Sequence, residues 1–480
     1  MIAGQLARLA KHSAVYGLGA VAARLIGVVL LPIYSRYLPH PRRDLGAVET
    51  LLALSVVLVT VLRAGISTAF FRFYFDAEDD RGRVTVVRTS FWFTMATATA
   101  GLVLGVVLAE PISQLLFATG SRAGLVRAAF VVLWAQMNYE QLTSLFRVEE
   151  RSFAYVAATL ANVIITVVAT VLLVAVWNKG ATGVLVGNFA GTLVVYFILL
   201  AHRRYQLGLE FDRRLFRQMQ HFGMPFVPSG LALWLIDFSD RFFLVKLKGA
   251  DEVGLYSIGV RISTAILMLM IALRTAWPAF AYSIRDDDEA KRTYGFVLTY
   301  VLYVGCWFSL ALSLLAPWLV RLLTVPVLYA GSRIVPLLVF GGTAYIAYTV
   351  MAIGLGRARR TQFNWIVTGF AALVNIGLNV ALIPPYGMMG AAVSTLVSYV
   401  VMFLGMTLKA QRVYPVPYQW RRVGLAVGAA VGLTVLGKAL HVPLAGALAL
   451  SAVYPLILLP LGFYLPVELR RLRALVTATR

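Results

Sequence analysis

Apolar runs long enough to cross a bilayer core, about 20 residues each, recur from residue 12 to residue 464, and short polar or Gly/Pro-bearing breaks separate them. The pattern predicts fourteen spans, centred on residues 12–34, 45–69, 87–109, 124–146, 153–176, 182–201, 220–246, 253–279, 293–316, 329–354, 362–383, 388–408, 421–439 and 443–464. One stretch stands out. Span seven, inside HFGMPFVPSGLALWLIDFSDRFFLVKL, is broken by Pro225 and Pro228 and then carries Asp237, Asp240 and Arg241 among apolar neighbours.

Composition agrees with this reading. The 480 residues are 60% hydrophobic and 13% charged, with a mean hydropathy of +0.81, which excludes an ordinary soluble domain and predicts an all-α polytopic membrane protein. Arg8 and Lys11 precede an apolar run that continues to about Ile33, too long for a signal-peptide core, so the first span is expected to stay uncleaved, with residues 2–9 along the interface. The single cysteine, Cys306, rules out an intrachain disulfide.

Charge fixes an expected orientation. The net charge of +22 would suggest nucleic acid in a soluble protein. Here, with charges within about four residues of a span end assigned to the adjacent connection, 27 of the 43 Lys and Arg fall in the termini and the even-numbered connections, 11 in the odd-numbered connections and five deeper within spans. The positive-inside rule then puts both termini in the cytoplasm, with no nucleic-acid partner, and the expected location is a prokaryotic inner membrane. The largest cytoplasmic connection divides residues 1–201, spans one to six, from residues 219–410, spans seven to twelve. Residues 202–218 are the linker, and residues 411–480 add two helices and a basic tail.

The two halves repeat. Gly180-Ala181-Thr182-Gly183 leads to Gly187 and Gly191, as Gly387-Met388-Met389-Gly390 leads to Ser394 and Ser398. Ser35-Arg36 leads to Leu45-Gly46, as Asp240-Arg241 leads to Val253-Gly254. Six spans per copy imply two lobes related by a pseudo-twofold axis along the membrane normal. Span thirteen carries Gly424, Gly428 and Gly432, a pattern expected to pack on a neighbouring helix.

Charges within a bilayer are costly and mark pathways or pairs. Arg24 shares a face with Gly17, Ala20 and Gly27; Arg63 with Thr60 and Ser67; Arg261 with Gly254, Ser257 and Thr264. Arg274 lies near a span end. Asp237 and Arg241, one turn apart, are expected to pair. Asp240 and Glu140 lack an obvious local partner and could hold a monovalent cation. Five arginines against these three carboxylates predict a cavity with excess positive charge, suited to phosphate oxygens. The sequence offers no catalytic constellation, no P-loop and no metal-spaced cluster, and Asp286-Asp287-Asp288-Glu289 reads as a solvated cytoplasmic turn.

YGLGAVAARLIGVVLLPIYSRYL, LRAGISTAFFRFYFD, GMPFVPSGLALWLIDFSDRFFL with VGLYSIGVRIS, and IPPYGMMGAAVST occur in this order. Together they resemble the polysaccharide-biosynthesis branch of the multidrug/oligosaccharidyl-lipid/polysaccharide exporter superfamily. The resemblance implies two six-helix lobes around a central cavity, alternating access and no catalysis. It also implies a flippase moving undecaprenyl-diphosphate-linked oligosaccharide to the outer leaflet; the arginine excess predicts drive by membrane potential, assisted by a monovalent cation at Asp240 or Glu140. Membrane lipids and glycan polymerase or assembly proteins are the implied partners. The fourteen-span layout is similar to lipid II flippases, with Arg24, Arg63 and Arg261 at their cavity-arginine places, and Arg274 is added as a fourth cavity candidate. VVLLP departs from the further arginine and aspartate usual there, which favours an O-antigen, capsule or exopolysaccharide unit over lipid II. A multidrug antiporter of the same fold and a membrane glycan polymerase or ligase are the alternatives.

Overall fold

The computed structural model describes residues 27–203, 208–266, 273, 277–278, 280–358, 360, 362–466, 468 and 470. Every regular element among them is helical, as the period of the apolar positions requires. Among the described residues, nine helices are long and apolar enough to cross a membrane, and a tenth span results if the bent pair Arg213–Phe226 and Gly230–Leu247 is taken as one. These nine fall on expected spans two, three, five, six and nine to thirteen. Span seven is the bent pair, span four is a more polar helix, and span fourteen is a shorter one. Most of span one and part of span eight, with Arg24 and Arg274, lie outside the described residues, as do residues 2–9.

The chain packs into two compact units. The first runs to Arg261 and adds Leu323–Gly331 and Ala372–Ser394. It holds α1 (Leu31–Tyr37), α2 (Pro41–Arg63), α3 (Ile66–Asp76), α4 (Asp80–Val107), α5 (Ala109–Phe117), α6 (Ala123–Val148), α7 (Ser152–Val171), α8 (Gly180–Arg203), α9 (Arg213–Gly223), α10 (Val227–Leu247) and the body of α11 (Ala250–Ser263).

Breaks in these helices have local causes. Ala64 and Gly65 take left-handed backbone, φ 47° and 76°, and stop α2 at Arg63, so Ser67 belongs to a new helix. Gly65 meets Gly223 backbone to backbone, and a Cβ at either position would collide with the carbonyl of the other. Pro225 and Pro228 lie at the 51° bend between α9 and α10. Phe70, Phe91, Phe146, Tyr196 and Met219 form a core that ties α3, α4, α6, α8 and α9 together.

Arg203 shows how burial changes a loop charge. The positive-inside count treats it as a cytoplasmic cation at the edge of the linker. It is instead buried at the end of α8, where it grips both oxygens of Glu149 at 2.9 and 2.8 Å and stacks over Phe146.

The second unit takes Ile262–Leu322, Ser332–Ala371 and Thr395–Arg480. It contains most of α12 (Asp287–Leu323) and α13 (Val335–Arg357), parts of α14 (Gln362–Tyr386) and α15 (Met388–Val413), and α16 (Trp420–Ala439) and α17 (Leu444–Ile457). Cys306, Leu310, Ala426, Ala430, Tyr454 and Phe463 make its core. The Asp286–Glu289 turn starts α12, with Asp286 capping the Glu289 N–H at 2.7 Å. Asp287, expected to be merely solvated, bonds Arg357 at 2.8 Å and the Tyr414 hydroxyl at 3.1 Å. Arg357 also donates to the carbonyls of Ile284 and Arg285 and to the Tyr294 hydroxyl, which clamps the ends of several helices.

One packing expectation fails. Among the described residues, a Cβ on Gly424, Gly428 or Gly432 of α16 would meet nothing within 4 Å. The buried stripe of α16 is instead Val423, Ala426, Ala430, Leu433 and Gly437. Small residues permit close approach, but here the apolar stripe offset from them meets the core.

Candidate functional site

Two glycines position the site. A Cβ on Gly46 of α2 would strike the Ala250 carbonyl, and one on Gly254 of α11 would strike the Arg42 carbonyl. The contact is reciprocal: Arg42 stands four residues before Gly46, as Ala250 does before Gly254. These are the two turns that the sequence repeat matches, and the structure presses their backbones together.

Residues three and seven positions beyond a helical residue share its face. Glu49 follows Gly46 by three, and Arg261 follows Gly254 by seven. The close crossing therefore brings them into contact. Arg261 donates from Nη2 and Nε to Glu49 Oε1 at 2.6 and 3.2 Å, and from Nη1 to the Gly27 carbonyl at 2.7 Å. Its guanidinium also lies over the Tyr34 ring, 5.4 Å from the centroid. The Tyr34 hydroxyl donates in turn to Asn188 of α8.

Glu49 has a second cation beside it. Arg241 Nε of α10 stands 4.0 Å from Glu49 Oε2. Arg241 Nη1 donates to Asp240 Oδ1 at 2.9 Å and to the backbone carbonyl of Asp237 at 2.8 Å. Tyr256 of α11 donates to the other Asp240 oxygen. Arg241 and Asp240 are buried, and Arg261 and Glu49 nearly so. The result is an alternating run: Arg261, Glu49, Arg241, Asp240.

This corrects three expectations. The carboxylate that Arg241 takes is Asp240 rather than Asp237, whose backbone oxygen does the work expected of its side chain. Asp240 has local partners, Arg241 and Tyr256. Glu140 is likewise engaged: Arg63 Nη1 donates to it at 2.6 Å and Gln136 at 3.0 Å, while Arg63 Nη2 bonds the Met137 carbonyl. Arg63 and Arg261 thus take different carboxylates on different helices.

Glu49 is the residue the charge count omits. It lies within span two and raises the intramembrane carboxylates from three to four, so the five arginines Arg24, Arg63, Arg241, Arg261 and Arg274 exceed them by one. Each of the described three is matched by a carboxylate. A second unforeseen group is polar but uncharged. Ser239 donates to Asn375 Oδ1 at 3.2 Å, and Asn379 donates to the same oxygen at 2.9 Å, all three side chains being buried. The spacing of Asn375 and Asn379, four apart in an apolar helix, was the signal available for them.

Chemically, two guanidinium groups straddle one carboxylate in a helix bundle. Guanidinium groups so placed suit the oxygens of an anion. The fold is that of membrane transporters. The structure aligns with a lipid II flippase, MurJ, in an inward closed conformation at a TM-score of 0.73 and 13% identity, over 92% of this chain and 98% of that one. It aligns with an inward-facing multidrug-resistance transporter of the MATE family at 0.66 and 14% identity, over 81% and 95%. The fold class is therefore that of an all-α polytopic membrane protein, shared with those two structures.

Within that class, the chain belongs to the polysaccharide biosynthesis protein family, whose pattern matches residues 9–283. The MatE pattern matches residues 225–381. Among curated proteins, a protein of the Lsg locus of Haemophilus influenzae is 23% identical over 57% of this chain and 65% of its own length. The amylovoran biosynthesis protein AmsL of Erwinia amylovora is 24% identical over 60% and 75%.

Proposed function

We propose that this protein is a flippase carrying an undecaprenyl-diphosphate-linked oligosaccharide, such as an O-antigen, capsule or exopolysaccharide unit, from the inner to the outer leaflet by alternating access. The observation that carries the reading is Glu49, held by Arg261 and approached by Arg241. A carboxylate so placed stands where a diphosphate would bind. On substrate entry the diphosphate takes the guanidinium forks and Glu49 is displaced; on release Glu49 returns and neutralises the arginines. A diphosphate suits such forks because each phosphate accepts parallel N–H bonds. Arg24, Arg63 and Arg274 are proposed to extend the same cationic path.

The family supports a role in polysaccharide biosynthesis; glycan-assembling partners in the inner membrane and cytoplasmic termini are part of the same proposal. Outward movement of an anionic headgroup is favoured by an interior-negative potential, by about 2.3 kcal/mol per charge per 100 mV actually crossed. With Glu49 present, the emptied site carries little charge, so the potential acts mainly on the loaded half-cycle. A monovalent cation at Asp240 or Glu140 would have to displace Arg241 or Arg63, which makes potential the favoured drive.

The test is a strain lacking this gene. It should accumulate the lipid-linked unit in a leaflet closed to membrane-impermeant sugar oxidation. The wild-type gene should restore access and Arg261→Ala should not. The MatE match favours a second reading, export of a cationic drug, which predicts dye efflux from the same cells and no change in glycan access.

A further inference from the structure

Helix α9 lies outside the transport site and has two unlike faces. Leu215, Phe216, Met219 and Phe222 pack into the α3/α4/α6 core. Arg213, Arg214, Arg217, Gln218 and His221 are exposed on the other face. Among the described residues, none of these three arginines pairs with a carboxylate. Exposed apolar side chains flank the helix at both ends: Leu209 and Phe211 before it, Met224 and Phe226 after it.

The helix is well anchored. Asp212 caps it, accepting from the Arg214 and Leu215 N–H groups at 2.8 and 3.0 Å. The preceding segment is tied to α4 by Trp92 to the Gly208 carbonyl, by Arg88 to Glu210 and by the Asp212 N–H to Thr89. A cleft of about 550 Å³ opens between α3 and α9, lined by Arg72, Phe73, Asp76, Arg217, Gln218, His221 and Phe222. Arg72 spans it, stacked on Phe222 at 4.6 Å and bonded to Asp76 at 3.2 Å.

A rigid helix that shows water a row of arginines bounded by exposed apolar residues matches one surface chemically, the headgroup layer of a membrane containing anionic lipid. The apolar flanks suit the acyl boundary and the arginines suit phosphate. A soluble acidic partner would account for the arginines but not for the exposed leucine and phenylalanines beside them.

We infer that α9 and the α3/α9 cleft form a binding site for anionic phospholipid, with Arg217, His221 and Arg72 at the headgroup phosphate and Arg213 and Arg214 on its neighbours. This site is independent of the transported substrate. It fixes the orientation of the segment that precedes α10, and so of the bend through which α10 is entered.

The test uses the full chain purified in neutral detergent and titrated with phosphatidylglycerol or phosphatidylcholine, with bound lipid counted by native mass spectrometry. The wild type should prefer phosphatidylglycerol by at least tenfold. The triple variant R213Q/R214Q/R217Q should lose that preference. A control with the same charge removed elsewhere, R292Q/R360Q/R412Q, should keep it. If the glutamine variant does not fold, the matching triple lysine variant, which retains charge without the fork, should show a reduced but measurable preference. Equal lipid binding in the wild type for both headgroups overturns the inference. So does equal loss in the two glutamine variants, which would mean only diffuse attraction. Undiminished preference in the lysine variant removes the assigned phosphate forks and also counts against the site.

Discussion

Replacing Glu49 by Gln keeps the shape of the side chain and removes its charge, leaving Arg261 with one carbonyl partner, Gly27, and Arg241 with Asp240. Arg261 and Glu49 side chains are 12% and 13% exposed and joined by two hydrogen bonds, so the pair is largely desolvated. Breaking such a pair on one side typically costs about 3–5 kcal/mol, chiefly because the remaining ion stays buried. Arg261→Gln should cost a similar amount by orphaning Glu49, partly offset by Arg241 at 4.0 Å. The double variant removes both ions and should recover much of the loss, giving a coupling energy of about 2–3 kcal/mol. The assay is reversible unfolding of the purified protein in mixed micelles, run as a double-mutant cycle. Additive losses, with coupling below about 0.5 kcal/mol, would refute the pairing and with it the idea that Glu49 occupies an anion's place.

Further outcomes follow from the same geometry. Gly46→Leu or Gly254→Leu should abolish folded protein, measured by monodispersity after extraction, because the side chain meets backbone that cannot yield; Ser at an exposed position such as Gly428 should be neutral. The swap Arg63→Glu with Glu140→Arg should accumulate better than either single change, measured by immunoblot of membranes. Arg203→Lys should lose about 1–3 kcal/mol, since lysine cannot make both bonds to Glu149, and the thermal midpoint of the purified protein reads this. Arg357→Ala should destabilise the protein more than Arg360→Ala, as Arg357 holds Asp287, Tyr294 and three carbonyls; limited proteolysis of the 280–290 segment would show it.

The fold was largely legible because its signals are local or periodic. A run of apolar residues specifies a span, Pro225 and Pro228 specify a bend, and the matched turns mark the two helix starts, though their contact through Gly46 and Gly254 is visible only in the structure. The site was legible only in part. Asp237 and Arg241 satisfy the four-residue spacing, yet Asp240, adjacent in sequence, folds its carboxylate onto Arg241 because Tyr256 of the next helix bonds its other oxygen. No helical spacing contains that third group. Glu49 and Arg261 are 212 residues apart, and nothing in either local pattern names the other. Arg203 illustrates the same limit: its position at a helix end suggests solvent, and the stacking on Phe146 that buries it is tertiary. The glycines of α16 erred in the opposite direction, since small residues allow a close crossing without supplying the apolar area that would drive one.

The most direct measurement is flipping of an undecaprenyl-diphosphate oligosaccharide in proteoliposomes containing the purified protein, followed by loss of sugar from an impermeant oxidant, at zero and at an imposed potential. The account predicts movement well above protein-free vesicles for the wild type. It also predicts acceleration by a potential that favours passage of the anion, and near-background rates for Arg261→Gln. Movement no faster than in protein-free vesicles, or an Arg261→Gln variant as active as the wild type, would contradict it.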